Sequence, residues 1–327
     1  MVPVSADPAT PTPAPIDAQA PIGVFDSGVG GLSVLRHIHA QLPREQLIYV
    51  ADTAHAPYGG RDEAEIAARA LAIGALLQAR GVKALVVACN TATALAIAAV
   101  RSRFPELIVV GVEPGLKPAA MRSRSRVVGV LATEATLASR RFRELQASVG
   151  AATGVRFLAR GCPGLADCIE RGELSTAGTR TLLETLVLPL LAHEVDTLVL
   201  GCTHYPFVLP LIETIIAAQG GADVSCIDTG AAVARHLART LAGRGMLRPM
   251  IVPTIVPTIA PANPAGGAGT AAVHDARQRS ICGLTSGSPL ALQRAFARLL
   301  DWQVGVAAIS AHDVDPIVMT RPHGLHR

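Results

Sequence analysis

GVKALVVACNT at residues 81–91 and EVDTLVLGCTH at residues 194–204 decide the architecture. In each, a short apolar run follows a helix-period segment and ends in a cysteine, Cys89 in the first and Cys202 in the second. Buried parallel strands share Val and Leu because both faces are covered, but that restriction does not bring the cysteines into line. A fainter echo pairs IGVFDS at 22–27 with VGVLAT at 128–133. The reading is a duplicated α/β unit.

The same rhythm extends outward. Further apolar runs lie at 47–51 (LIYVA), 107–112 (LIVVGV), 155–159 (VRFLA) and 224–227 (VSCI), with helix-period segments between them, which predicts parallel sheets. One helix carries its own punctuation: Asp62 as cap, Glu65 three residues on, and Gly81 where the next turn begins. Another helix is expected up to Leu300, and a last strand at 303–309. Residues 1–20, rich in Pro, Ala and Thr, predict a disordered tail and lack the basic and apolar regions of a secretory signal. RPMIVPTIVPTIAPANPAGGAGT at 248–270 has neither period and reads as an insertion.

A chain of 327 residues suggests about two domains. Half of its residues are hydrophobic, yet no uninterrupted apolar run reaches the roughly 18 residues of a membrane span, so no membrane partner is expected. Six scattered cysteines do not read as a disulfide framework, and reduced thiols in a cytoplasm fit better. The formal net charge is +4, and the basic stretches at 122–126 and 140–143 are short and without aromatics. They read as solvated surface rather than a nucleic-acid site.

Ligands of parallel α/β sheets bind beyond the carboxyl ends of the strands. DSGVGG (26–31), PYGG (57–60), CNTAT (89–93) and CTHYP (202–206) fall there. At helix N-termini, Asn90, Thr91 and Thr203 would be placed to hold a carboxylate, and the same field is expected to keep part of each thiol ionised. A single cysteine after a strand is usually a small buried hydrophobe. Two at equivalent ends of a repeat, each followed by Thr, Asn or His, point instead to acid/base groups on opposite faces of one carbon, as inversion of a tetrahedral centre requires. Asp26 and His204 are the natural assistants, although Asp26 also suits a turn cap and His204 a structural donor. The glycines of DSGVGG match neither nucleotide fingerprint and read as a tight turn with close backbone approach. A zinc site at Cys202 and His204 would have to draw Cys162 or Cys168 from a distant segment.

FDSGVGGLSVLR (25–36), ADTAHAPYGGR (51–61), VVACNTATA (86–94), GVEPGLKPA (111–119), GCPGLADCIE (161–170), LVLGCTHYP (198–206), IDTGAAVA (227–234) and TSGSP (285–289) resemble the glutamate racemase family in order and spacing. The resemblance implies L- and D-glutamate interconversion without cofactor or metal, supplying D-glutamate for peptidoglycan. It implies that Cys89 deprotonates D-glutamate, assisted by Asp26, and that Cys202 deprotonates L-glutamate, assisted by His204 with Glu170. Asp26, Ser27, Tyr58, Gly59, Asn90, Thr91, Thr203 and His204 match its substrate-binding positions. The implied fold is two pseudo-symmetric parallel-sheet α/β domains with the active site in the cleft between them. The first would comprise 21–112 and 222–310, carrying the 248–270 insertion, and the second 113–221, with a tail at 311–327. A homodimer is the expected assembly. An aspartate racemase and a non-enzymatic binder of small acids are the other readings.

Overall fold

The computed structural model describes residues 17–220, 223–249 and 280–310. Residues 1–16 of the expected head, most of the expected insertion and the whole of the 311–327 tail lie outside the described residues.

Two all-parallel sheets are built by the predicted apolar runs. In chain order the first copy supplies β1 (Ile22–Asp26), β2 (Leu47–Ala51), β3 (Ala84–Val87) and β4 (Ile108–Gly111); the second supplies β5 (Val127–Ala132), β6 (Arg156–Gly161), β7 (Thr197–Leu200) and β8 (Ser225–Ile227). The chain then returns to the first sheet with β9 (Ile281–Thr285) and β10 (Gly305–Ala308). Strand order is β10-β9-β2-β1-β3-β4 in one sheet and β6-β5-β7-β8 in the other. Advancing each of β2-β1-β3-β4 by four gives the second sheet, so the duplication seen in the cysteine runs extends to the topology. The matched runs occupy β3 and β7, and the fainter echo occupies β1 and β5.

Two details differ from the expectation. Residues 222–227 were assigned to the first domain, but β8 pairs in parallel with β7, Leu198 opposite Cys226. The return crossing therefore follows β8. The strand β9 was not foreseen, and it lies between β2 and β10, aligning Ile48 with Cys282.

Helices cover both faces of each sheet, which is why the central strands are apolar on alternate and intervening residues alike. On one face of the first sheet α1 (Leu32–Gln41), α10 (Gly230–Gly243) and α11 (Pro289–Leu300) bury Leu35, Ile38, Leu237, Leu241 and Phe296. On the other, α2 (Glu63–Ala79) and α3 (Asn90–Arg103) bury Ile73, Leu77, Ile97 and Val100. The predicted punctuation of α2 is present: the Asp62 carboxylate accepts from Ala64 N–H at 3.1 Å, and Gly81 turns the chain at φ +70°. The second sheet is covered by α7 (Leu165–Arg171), α8 (Ala177–Leu191) and α9 (Leu209–Ala218) on one side, and by α4 (Leu116–Arg122) and α6 (Arg140–Thr153) on the other. Between β5 and α6 runs the short α5 (Glu134–Ala138). Among the described residues no helix is long and apolar enough to cross a membrane.

Candidate active site

Cys89 is the N-cap of α3, extended at φ −133°, and its sulfur accepts from Ala92 N–H at 3.4 Å. The hydroxyl of Ser27 lies 3.8 Å from the same sulfur. Asp26, the last residue of the adjacent strand β1, is fully buried; one carboxylate oxygen accepts from Gly28 N–H at 3.1 Å and Gly31 N–H at 2.9 Å. Its other oxygen has no protein hydrogen-bond partner, and neither does either amide atom of the buried Asn90. A buried polar atom left in that state costs about 1–3 kcal/mol. Asp26, whose charge acts on the Cys89 thiol, and Asn90, the next residue after that cysteine, therefore both offer polar atoms that a bound polar group would satisfy.

The second copy departs from the first. Cys202 lies two residues beyond β7 and is followed by a turn and a short 3₁₀ segment, Tyr205–Phe207, before α9 begins at Leu209. Pro206 lacks the N–H that would close an α turn onto the Cys202 carbonyl, which takes the tighter bond from Tyr205 N–H instead, so Cys202 and Thr203 are not at an α-helix N-terminus as expected. A side-chain relay stands in its place. His204 Nδ1 lies 3.6 Å from the Cys202 sulfur, and Nε2 donates to Glu170 Oε1 at 2.7 Å.

The two halves interlock here. Val29 N–H, from the glycine-rich loop after β1, donates to the same Glu170 oxygen at 2.8 Å, and the Ser33 hydroxyl donates to the carbonyl of Thr203 at 2.7 Å. A Cβ on Gly30 would stand 2.3 Å from His204 Nδ1. Close approach is therefore what the loop glycines provide.

Burial and charge set the protonation states. Desolvation raises the Asp26 carboxyl above its usual range against the pull of His204. Desolvation, with the Asp26 charge and the sulfur of Cys202 added to it, raises the Cys89 thiol far above its usual value despite the helix N-terminus. This reverses the expectation of a partly ionised Cys89: at full burial the desolvation cost exceeds what one N–H and a helix end return. For His204 desolvation works downward, but hydrogen bonds to Cys202 and Glu170 prevail and hold the imidazolium well past its ordinary range. Glu170 is depressed in spite of burial, by the His204 hydrogen bond and charge and by Val29 N–H.

The remaining predicted residues line the same region. Tyr58, in a 3₁₀ turn at Tyr58–Gly60, donates from its hydroxyl to Asp52 at 2.6 Å, and Arg69 grips that carboxylate at 2.9 and 2.7 Å. Gly59 faces Thr133, 3.1 Å from a notional Cβ. The Thr91 hydroxyl lies 2.9 Å from that of Thr133, which in turn donates to Thr136 at 2.8 Å. Thr133, Asp52 and Arg69 were not singled out from sequence. A signal existed for Thr133, which takes the place of Ser27 in the fainter echo.

Cys89, Cys202, Asp26, Ser27, Asn90, Thr91, Thr203, His204 and Tyr58 are all buried, so the region is closed. A cavity of about 350 Å³ lies elsewhere, lined by Thr93, Glu113, Pro114, Lys117, Arg141 and His236, and holds none of the predicted residues. Among the described residues no three of His, Cys, Asp and Glu are grouped to hold a metal ion.

Comparison with known proteins follows the same outline. The Asp/Glu/Hydantoin racemase family profile matches residues 22–237. Over 230 residues the chain is 54% identical to a glutamate racemase of Ectopseudomonas mendocina, covering 70% of this chain and 85% of that one. Among solved structures, glutamate racemase isoform RacE1 of Bacillus anthracis superposes with a TM-score of 0.72 at 29% identity, covering 90% of this chain and 98% of its own. Thermus thermophilus glutamate racemase in complex with β-chloro-D-alanine gives 0.69 at 31% identity, over 91% and 99%.

Proposed function

Since the chain belongs to the Asp/Glu/hydantoin racemase family, we propose that it interconverts L- and D-glutamate by moving protons between two thiols, providing D-glutamate for peptidoglycan. The observation that carries this reading is the pair of buried cysteines at the ends of β3 and β7, equivalent strands of the two copies, each with its own ionisable assistant.

The two environments divide the work. Cys202, with His204 Nδ1 3.6 Å from its sulfur, takes the α-proton of L-glutamate. Cys89, held as a thiol by burial, delivers a proton to the opposite face and yields D-glutamate. From D-glutamate the roles exchange: Cys89 gives its proton to Asp26, whose raised affinity for protons suits an acceptor, and takes the α-proton, while Cys202, having received a proton from His204 beside the Glu170 carboxylate, delivers it to the opposite face. The amide of Asn90, the hydroxyls of Ser27, Thr91 and Tyr58, and the backbone at Gly59 and Thr203 hold the substrate's charged ends. Closure between the domains keeps water from the carbanion-like intermediate. The first domain comprises residues 21–112 with the return after β8, the second the segment between, and a cytoplasmic homodimer is the expected assembly.

The test is circular dichroism of wild-type, Cys89→Ala and Cys202→Ala proteins with pure L- and pure D-glutamate, in metal-free buffer without pyridoxal phosphate. Both wild-type signals should decay to zero, and neither variant should move them while its far-ultraviolet spectrum stays native. Substantial racemisation by either variant overturns the two-thiol mechanism. Decay with aspartate and not with glutamate replaces the substrate.

A further inference from the structure

Arg298 is exposed on α11, far along the chain from the predicted site, yet its guanidinium reaches into the second domain. Nη2 donates to the carbonyl of Glu170 at 3.2 Å. That carbonyl is in the last turn of α7, where backbone acceptors lack intrahelical donors and a cation is favoured. The helix stops at Gly172, φ +80°, and a Cβ there would stand 2.4 Å from the guanidinium carbon. Only a glycine leaves room for Arg298 to lie across the helix end.

A second connection runs from the same helix to the same residue. Phe296, fully buried on α11, meets Tyr49 edge to face with ring centroids 5.7 Å apart. The Tyr49 hydroxyl donates to the carbonyl of Gly28 at 2.7 Å, and the next residue, Val29, donates to the Glu170 carboxylate. The backbone and the side chain of Glu170 are thus both held from the first domain, one directly through Arg298 and one through Tyr49 and the glycine loop.

We propose that Arg298 is a positioning residue for the Glu170–His204 pair, coupling the docking of the two domains to the placement of the carboxylate that supports Cys202. The inference rests on the two-thiol reading for its kinetic consequence but not for its structural one. When Arg298 is lost, Leu165 and Ile169 still pack α7 into the core, but its C-terminal turn loses its tie to the first domain and the Glu170 carboxylate is left to Val29 N–H and the imidazole, so Glu170 spends part of its time out of reach of Nε2. Cys202, Glu170 and Asp26 face His204, the Arg298 charge itself acts on the Glu170 carboxyl, and Glu170 is the group whose position changes.

The experiment compares wild type with Arg298→Met and Arg298→Lys, both at an exposed position, by proton NMR titration of the His204 imidazole and by racemisation kinetics. In Arg298→Met the His204 titration should move down towards the ordinary imidazole value. Its kcat/KM should fall about tenfold, corresponding to about 1.4 kcal/mol; Arg298→Lys should recover part of both, and thermal midpoints should stay close. An unchanged His204 titration in Arg298→Met overturns the proposal whether or not the protein racemises glutamate. A lower melting temperature with unmoved titration would mean that Arg298 only packs. If wild type fails to racemise glutamate while the titration shifts, the functional reading falls and the coupling stands.

Discussion

Gly28 and Glu170 approach so closely that a Cβ at Gly28 would lie 1.9 Å from the carboxylate oxygen Oε1. That oxygen also receives Val29 N–H and His204 Nε2–H. The neighbouring Gly30 stands in the same relation to the His204 ring. The loop and the relay are therefore fitted as one surface, which gives DSGVGG a reason to be glycine-rich that no phosphate supplies.

Gly28→Ala should displace the Glu170 side chain rather than unfold the protein, because the obstruction is the flexible end of a side chain. A displacement of about 1 Å at a catalytic group lowers rate on the order of 100-fold, and kcat/KM for glutamate should fall by that factor with a nearly native melting curve. Gly60→Ala is the control, since nothing lies within 4 Å of its notional Cβ. Equal activity of the two variants would show that the close approach is incidental.

His204→Asn should lower kcat/KM on the order of 100-fold, the lower end of what a positioned acid or base contributes. The fall must be equal from both enantiomers, because mirror-image substrates have equal free energy and the ratio of the two kcat/KM values is fixed by that equality. Direction appears instead in the isotope effect. With α-deuterated L-glutamate, whose deuteron goes to Cys202, the primary effect should grow relative to wild type, while that with α-deuterated D-glutamate should not. Matching changes in both would assign His204 a packing role.

How much of this was open to sequence reading depends on how local the cause is. Strands buried on both faces must be spelled in Val, Leu and Ile, so β1, β3, β5 and β7 were legible, and with them the paired cysteines. The strand β9 is as long as β1 but is broken by Cys282 and Gly283 and follows the Pro- and Thr-rich stretch, so no continuous apolar run betrayed it. Arg69 and Arg298 find their partners 17 and 128 residues away, and no local pattern announces such a pair. The direction of the Cys89 shift was misread because a helix N-terminus is visible in sequence and complete burial is not.

Two buried ion pairs separate stability from function. Asp52 and Arg69 meet at 2.7 Å beside Tyr58; Glu45 and Lys83 meet at 2.6 Å just before β3, at the end of that strand opposite Cys89. Removing one partner of such a pair costs about 3–5 kcal/mol because the other charge stays buried. Asp52→Ala and Lys83→Ala should each lose stability on that scale in urea unfolding. Only Asp52→Ala should also raise KM for glutamate, having released the Tyr58 hydroxyl. A raised KM in both would mean that loosening the first domain anywhere disturbs the site.

The opposed shifts of His204 and Glu170 define a pH window. Glu170 is depressed on folding, so its contribution is present above the ordinary carboxylate value and is lost as pH falls through the folded one. His204 is raised, so its contribution is complete below the ordinary imidazole value and is lost as pH rises through the folded one. The pair stabilises fully where Glu170 is ionised in both states and His204 is protonated in both, on the acid side of neutrality. In Glu170→Gln the imidazole loses an anionic partner and its proton affinity drops. The melting-temperature gap between wild type and Glu170→Gln should therefore be widest in that window and narrow towards both strong acid and alkali. The alkaline limb of kcat/KM should move to lower pH in the variant, because the cationic form of His204 is lost sooner. A gap that stays constant with pH, together with an unmoved alkaline limb, would show that His204 draws its raised affinity from Cys202 alone and that Glu170 serves only to orient the ring.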